Sequence, residues 1–180
     1  MVKLAIIGKM GSGKTTLVKH LVSEYNFIEF NFGDPVKKYA NEIFGIETLK
    51  EKPRKFIQDF AETLKTLDQN VWVNNIKRQI NELEREKSVN IVVGDVRFMN
   101  EYQMLREQGF KFILLDISEE YQVERLKKTY PNNYLEHLER RGHISEQNVY
   151  KFPAEYYYHI NEITEKSLND YVRQVIEREN

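Results

Sequence analysis

The stretch from Val2 to Tyr25 constrains this chain more than any other. A nearly continuous apolar run, Val2 to Ile7, gives way to GKMGSGKTT, Gly8 to Thr16, and then to Leu17, Val18, Leu21, Val22 and Tyr25 on one helical stripe. An apolar run without alternation suits a parallel strand buried on both faces, so helices are expected on both sides of a sheet. The loop between has the spacing Gly8-x-x-x-x-Gly13-Lys14-Thr15, the P-loop pattern for nucleotide phosphates. Gly8, Gly11 and Gly13 let successive backbone N–H groups turn toward one anion, and the helix that follows adds the positive end of its dipole. Ser12 and Thr16 are expected with them against the phosphates of ATP. Lys14 brings a mobile charge, and Thr15 offers a hydroxyl to a magnesium ion. The ordinary alternative, a glycine-rich turn that happens to hold a lysine, leaves the strand before it and the helix after it unexplained.

The remaining sequence repeats the strand-then-helix order. Phe27 to Phe32 reads as a strand ending at Gly33. Asp34-Pro35 starts a helix as N-cap and first-turn proline, with Val36, Tyr39, Ala40, Ile43 and Phe44 as its buried face and Gly45 as its end. Pro53 opens a helix with Phe56, Ile57, Phe60, Leu64 and Leu67 inward. Another, Val71 to Glu86, carries Trp72, Val73, Ile76, Ile80 and Leu83. Val89 to Val93 is a strand broken by Gly94-Asp95, Asn100 to Gln108 a helix stopped by Gly109, and Lys111 to Ile117 a strand. Ser118 caps a charged helix that stops before Pro131. Asn132 to Tyr150 is polar and reads as a lid. Tyr156 to Ile160 suits a last strand, and Leu168, Tyr171, Val172, Val175 and Ile176 mark a closing helix.

This order predicts an α/β P-loop NTPase fold: a five-stranded parallel sheet with helices on both faces and a mobile lid over about residues 128–150. All 180 residues suit one domain. In such sheets ligands bind at the carboxyl ends of the strands, so Gly8, Gly33, Asp95 and Ser118 are expected to gather at one edge. A net charge of -1 gives no global reason to coat a nucleic acid polymer or an anionic membrane. The chain has no cysteine, which excludes disulfides, thiolate metal sites and a cysteine nucleophile. MVKLAIIGKMG is too short and too soon interrupted for a signal peptide, and no apolar run reaches the roughly 20 residues of a membrane span. The expectation is a soluble, cytoplasmic protein.

Three further features bear on chemistry. Asp95 can organise magnesium, directly or through water, while Arg97 reaches a phosphate just beyond the strand. Alone, the pair could equally be a turn cap with a surface ion pair; on the same edge as a P-loop the functional reading wins. Arg125, Lys127 and Lys128 on the charged helix, with Arg140 and Arg141 in the lid, could neutralise the charge gathered when one phosphate meets another. Singly each is an ordinary solvated charge, but at least one of Arg125, Arg140 and Arg141 is expected to act. Arg54 and Gln58, four apart, share a helix face away from Phe56 and Phe60. Read alone that face is ordinary wet surface, Trp72 is core and His143 has no nearby partner.

Beyond these features, the chain resembles the P-loop nucleoside monophosphate kinases, and among them the bacteriophage-type deoxynucleoside monophosphate kinases. The broad likeness is the P-loop, the Asp95-Val96-Arg97 turn and the arginine-bearing lid. The narrower likeness lies in FGDPVKKYANEIFG, RKFIQDF, DQNVWV, GDVRFMNE and RGHISE, which occur in the family's order and span nearly the whole chain. The resemblance implies that Lys14 stabilises the transferring phosphoryl group, that Thr15 and Asp95 serve magnesium, and that Arg97 holds the acceptor's phosphate. It makes Arg54 and Gln58 acceptor contacts, with Asp34, Lys37 and Trp72 nearby, within an acceptor-binding helical region of about 34–87. It adds Arg141, His143 and Glu146 of the lid.

The function so implied is transfer of the γ-phosphoryl group of Mg-ATP to a deoxynucleoside monophosphate. Alternatives are another small-molecule P-loop kinase, of the dephospho-coenzyme A or phosphomevalonate type, and a nucleotide-binding regulatory module without turnover. A GTPase is disfavoured by the lack of an Asn-Lys-x-Asp motif. The expected partner is the acceptor nucleotide, and a homodimer is compatible with the sequence.

Overall fold

The computed structural model describes residues 1–45, 54–139, 149–160 and 165–179. Five strands form one sheet: β1 (Lys3–Gly8), β2 (Ile28–Phe30), β3 (Ile91–Val93), β4 (Lys111–Ile117) and β5 (Tyr156–Ile160). Their order across it is β2-β3-β1-β4-β5, with β1 parallel to β3 and β4, and β4 parallel to β5. Among the described residues eight α-helices accompany them: α1 (Lys14–Tyr25), α2 (Gly33–Phe44), α3 (Arg54–Leu67), α4 (Val71–Glu86), α5 (Met99–Glu107), α6 (Glu119–Thr129), α7 (Tyr134–Glu139) and α8 (Glu165–Glu179). The chain divides into two compact units, residues 1–29 with 89–180, and residues 30–88.

In the first unit, alternate residues of the central strands face opposite sides. Leu4, Ile6, Val92, Ile113, Leu115 and Ile117 pack with Leu17, Val18 and Leu21 of α1 and Val172 and Val175 of α8. On the other side, Phe112 meets the Tyr102 ring of α5 at 4.5 Å, and Phe152 stacks on Tyr102. Helices thus cover both faces, as the unbroken apolar runs of β1 and β4 require. Each fully buried Leu or Ile contributes about 1.5–3 kcal/mol over leaving it exposed. Val22 is the exception on the α1 stripe: it is exposed.

β2 and β3 are shorter than their apolar runs. Asn90 accepts from Val2 N–H through its side-chain oxygen at 2.9 Å and from Ile28 N–H through its carbonyl at 2.8 Å. The pair Val89-Asn90 thus leads into the sheet rather than extending the β3 ladder. After Phe30 the backbone already turns, Asp34 N–H donating to Asn31 O at 3.2 Å.

In the second unit, α2 begins at Gly33, so Asp34 lies in its first turn and is not its N-cap. Gly45 ends the helix, its N–H donating to Asn41 O at 2.7 Å. Val36 and Ala40 are buried, but Ile43 is 64% exposed and Leu67 of α3 83%. Both had been expected inward. Each lies at a helix end, where its stripe has run past the neighbour it packs on. Phe44, also exposed, meets the edges of Phe56 and Phe60 at 5.0 and 6.1 Å.

Candidate active site

Parallel strands deliver their carboxyl ends to one edge of the sheet. The register pairs Gly8 with Leu115 of β4 and Ala5 with Val93 of β3. β1 and β3 are parallel neighbours, so the phosphate loop and the Asp95-Val96-Arg97 turn leave the sheet at the same edge.

Within the loop, Gly8 is required by crowding. A Cβ there would collide with the Ser12 hydroxyl and lie 2.9 Å from the Leu115 carbonyl oxygen. Gly13, by contrast, is required by its backbone, with φ at 91° where it caps α1. It has no side chain to cap the helix, which leaves that place to an anion. The Lys14 ammonium lies across the loop, donating to the carbonyls of Gly8 at 2.5 Å and Lys9 at 2.9 Å. Ser12 is wholly buried, and its Oγ has no hydrogen-bond partner among the described residues. Thr15 and Thr16 are exposed at the start of α1.

Two elements brace this loop. The Gln122 amide of α6 donates to Met10 O at 2.7 Å, and Gln122 is 1% exposed. One turn on, Arg125 is half-buried, and its Nη1 is buried with no hydrogen-bond partner among the described residues. On the other flank the Lys9 ammonium lies 5.0 Å from the Tyr150 ring centroid. The Tyr150 hydroxyl donates to Asp116 Oδ1 at 2.6 Å, and His159 Nδ1 is 2.9 Å from the other oxygen of Asp116. Burial, then the bond to Asp116, push the Tyr150 phenol well above its ordinary pKa.

Asp95 is half-buried, Val96 buried and Arg97 exposed. The turn is held by Glu101 of α5, whose Oε2 accepts from Arg97 N–H at 2.7 Å and Phe98 N–H at 3.0 Å. Gln122 had not been singled out from sequence, and Glu101 only as the last residue of GDVRFMNE. Glu101 carried a signal, a glutamate at the third position of a helix, which is half of a capping box. Gln122 carried none.

In the second unit, Asp34 and Lys37 are exposed and paired at 3.2 Å, and Asn31 donates to Asp34 at 3.1 Å. Arg54 opens α3, and Gln58 is exposed one turn later. Trp72 is buried, its indole N–H donating to Ala61 O at 3.2 Å and its ring tilted against Phe60. Arg140, Arg141, His143 and Glu146 lie outside the described residues.

The donor set at the strand edge is the Thr15 hydroxyl and the Asp95 carboxylate, both hard oxygen ligands. Among the described residues no cluster of three or more His, Cys, Asp or Glu side chains is placed to hold a metal. Two hard oxygen donors suit magnesium, which keeps waters and substrate phosphates in its shell.

The family model for an AAA domain matches residues 4–148, from β1 and the P-loop to beyond α7. The chain belongs to the AAA-domain family. Among curated proteins, this AAA domain is 29% identical to one of Acanthamoeba polyphaga mimivirus named "Putative deoxynucleotide monophosphate kinase". The match covers 64% of this chain and 74% of that one. It is 28% identical to the uncharacterized protein ORF77 of Ictalurid herpesvirus 1, over 62% of this chain and 49% of that one. The expected likeness to nucleoside monophosphate kinases is thus met by the mimivirus relative. Among solved structures, TT1252 from Thermus thermophilus superposes with a TM-score of 0.64 at 18% identity, covering 99% of this chain and 97% of its own. Shikimate kinase from Acinetobacter baumannii does so at 0.53 and 17%, covering 100% and 95%. At such identities the likeness is one of fold, shared with TT1252 and with that shikimate kinase. Among the described residues no helix is long and apolar enough to cross a membrane.

Proposed function

We propose that this AAA-domain protein is an ATP-dependent kinase that transfers the γ-phosphoryl group of Mg-ATP to a deoxynucleoside monophosphate. The observation that carries this reading is the shared strand-end edge. A phosphate loop with Lys14 across it and the Asp95-Val96-Arg97 turn follow neighbouring parallel strands at that edge, which supports a donor phosphate on one facing an acceptor phosphate on the other. The name of the mimivirus relative supports the acceptor class.

In this reading, Gly8, Gly11, Ser12, Gly13, Thr15 and Thr16 cradle the donor's β- and γ-phosphates. Lys14 leaves the loop carbonyls to follow the transferring group. Thr15 and Asp95 hold magnesium, which when bound offsets phosphate charge. Arg97 grips the acceptor phosphate, and Arg125, whose buried Nη1 lacks a partner among the described residues, adds charge from the α6 side. The family resemblance assigns Asp34, Lys37, Arg54 and Gln58 to the acceptor, with Trp72, which is buried, in support. The family resemblance adds Arg141 to the catalytic residues and His143 and Glu146 to the acceptor contacts. No covalent intermediate is required, because positioning and electrostatics can supply the catalysis.

The test is ADP formation from Mg-ATP with each deoxynucleoside and ribonucleoside monophosphate, beside an acceptor-free control and Lys14→Ala. Turnover that depends on a deoxynucleotide and disappears in Lys14→Ala is expected. ADP formation without any acceptor would make the protein an ATPase. Silence across the panel with ATP still bound would favour a non-nucleotide acceptor or a regulatory module.

A further inference from the structure

Among the described residues, Glu101 is the only charged side chain that is buried, at 8% exposed. Burying a carboxylate costs several kcal/mol unless it is hydrogen-bonded and compensated. Here a single oxygen, Oε2, takes two backbone N–H groups, those of Arg97 and Phe98, at the positive end of α5. Val96, immediately before, is buried and fixes the turn from below. Arg97 is itself exposed, so packing does little to restrain its side chain. Whatever precision its guanidinium has must come from the backbone that carries it, and Glu101 holds that backbone.

We propose that Glu101 is a positioning residue for the acceptor phosphate, acting through Arg97. This rests on the reading of Arg97 as the acceptor's phosphate contact. A displacement of about 1 Å in a group that aligns reactants can cost about a hundredfold in rate. Loss of the Glu101 bonds should therefore appear in acceptor kinetics and spare the donor, whose phosphates lie on a different loop.

The experiment compares wild type, Glu101→Ala, Glu101→Gln, Arg97→Ala and the Arg97→Ala/Glu101→Ala double variant, with Mg-ATP and each of dAMP, dCMP, dGMP and dTMP. Glu101→Ala should lower kcat/KM for the acceptor about 10- to 100-fold while KM for ATP stays within about twofold. Glu101→Gln, which keeps an oxygen for the same N–H groups, should recover part of that loss. The double variant should be little worse than Arg97→Ala alone, because both act on one contact. Amide hydrogen exchange should quicken at Arg97 and Phe98 in Glu101→Ala with the rest of α5 still protected.

A folded Glu101→Ala with wild-type acceptor kinetics, beside an impaired Arg97→Ala, would overturn the proposal and leave Arg97's role standing. So would full additivity in the double variant. If Arg97→Ala is itself unimpaired, or wild type turns over none of the four acceptors, the reading of Arg97 fails and the role of Glu101 falls with it. Should Glu101→Ala not fold, Glu101→Gln is decisive: an unchanged acceptor KM and kcat would overturn the proposal.

Discussion

The Gln122 side-chain amide donates to the Met10 carbonyl at 2.7 Å, so the helix after β4 holds the phosphate loop from outside. A Cβ on Gly11 would meet Gln122 Cγ and Leu126 at 3.7 Å, ordinary contact, so the same helix is also the floor under the loop.

Gln122→Ala should leave the Met10 carbonyl without this partner and open a void below Gly11. The expected cost is about 1–3 kcal/mol in stability, with a several-fold rise in KM for ATP. Gln122→Met, which fills the space without a donor, should restore most of the stability and little of the ATP affinity. Urea melts beside ATP titrations separate the two effects, and equal recovery of both would show that packing alone matters.

Gly8→Ala should be destabilising for a reason unrelated to nucleotide. The added methyl must displace the Leu115 carbonyl, 2.9 Å away, and the Ser12 hydroxyl. Overpacking of this kind costs about 1–3 kcal/mol. An unchanged urea midpoint in the nucleotide-free protein would show that β1 and β4 can separate without cost.

Stability should fall with acid through Glu155. Burial raises its pKa, but bonds from Phe112 N–H and Arg106 outweigh that and leave it below the ordinary 4.5. A depressed folded pKa means stability that is fully present above the unfolded value and lost as pH falls through the folded one. Glu155→Gln should therefore be less stable than wild type by about 1–2 kcal/mol at pH 7, allowing for partial solvent screening. The gap should narrow as pH falls below the ordinary 4.5 and close once pH has passed the folded value. Denaturant midpoints across pH 3 to 7 test this, and a gap that widens toward acid would reverse the sign assigned to Glu155.

Arg97→Ala should reduce phosphoryl transfer by about 10³–10⁵, the range for arginines that stabilise transferring phosphates. A loss below about tenfold in folded protein would remove Arg97 from the reacting groups.

Much of this was legible in the residues, and the exceptions share a cause. Lys111–Ile117 could be read to the residue because its apolar run follows Gly109 and ends at the capping Ser118, and Val71–Glu86 and Tyr156–Ile160 because their side-chain periodicity is clear. The phosphate loop could be read because its spacing is local. Ile43 and Leu67 were misjudged because periodicity describes a stripe and says nothing of where its neighbour stops. Asp34 was misjudged because the turn begun at Asn31 starts α2 early. Gln122 was invisible because its partner is 112 positions away and a backbone carbonyl carries no side-chain identity. The chain of His159, Asp116 and Tyr150 was hidden likewise, since strand pairing assembles it.

The sheet order also sets a timetable for synthesis. β1 is central, yet its neighbours β3 and β4 are encoded far downstream, and the first bond that Val2 makes across the sheet is to a residue 88 positions later. At about 5–20 residues per second, the LAIIG strand leaves the ribosome several seconds or more before anything exists for it to pair with. During that interval it is an apolar, uncharged segment with open edges, the kind that chaperones bind and aggregates recruit. Nascent chains stalled at Ser88 should leave β1 accessible to chaperone crosslinking, whereas chains stalled long enough to free Ile117 from the exit tunnel should bury it. The residues between are thus a delay as well as a domain segment, and the cell must shield β1 for its duration.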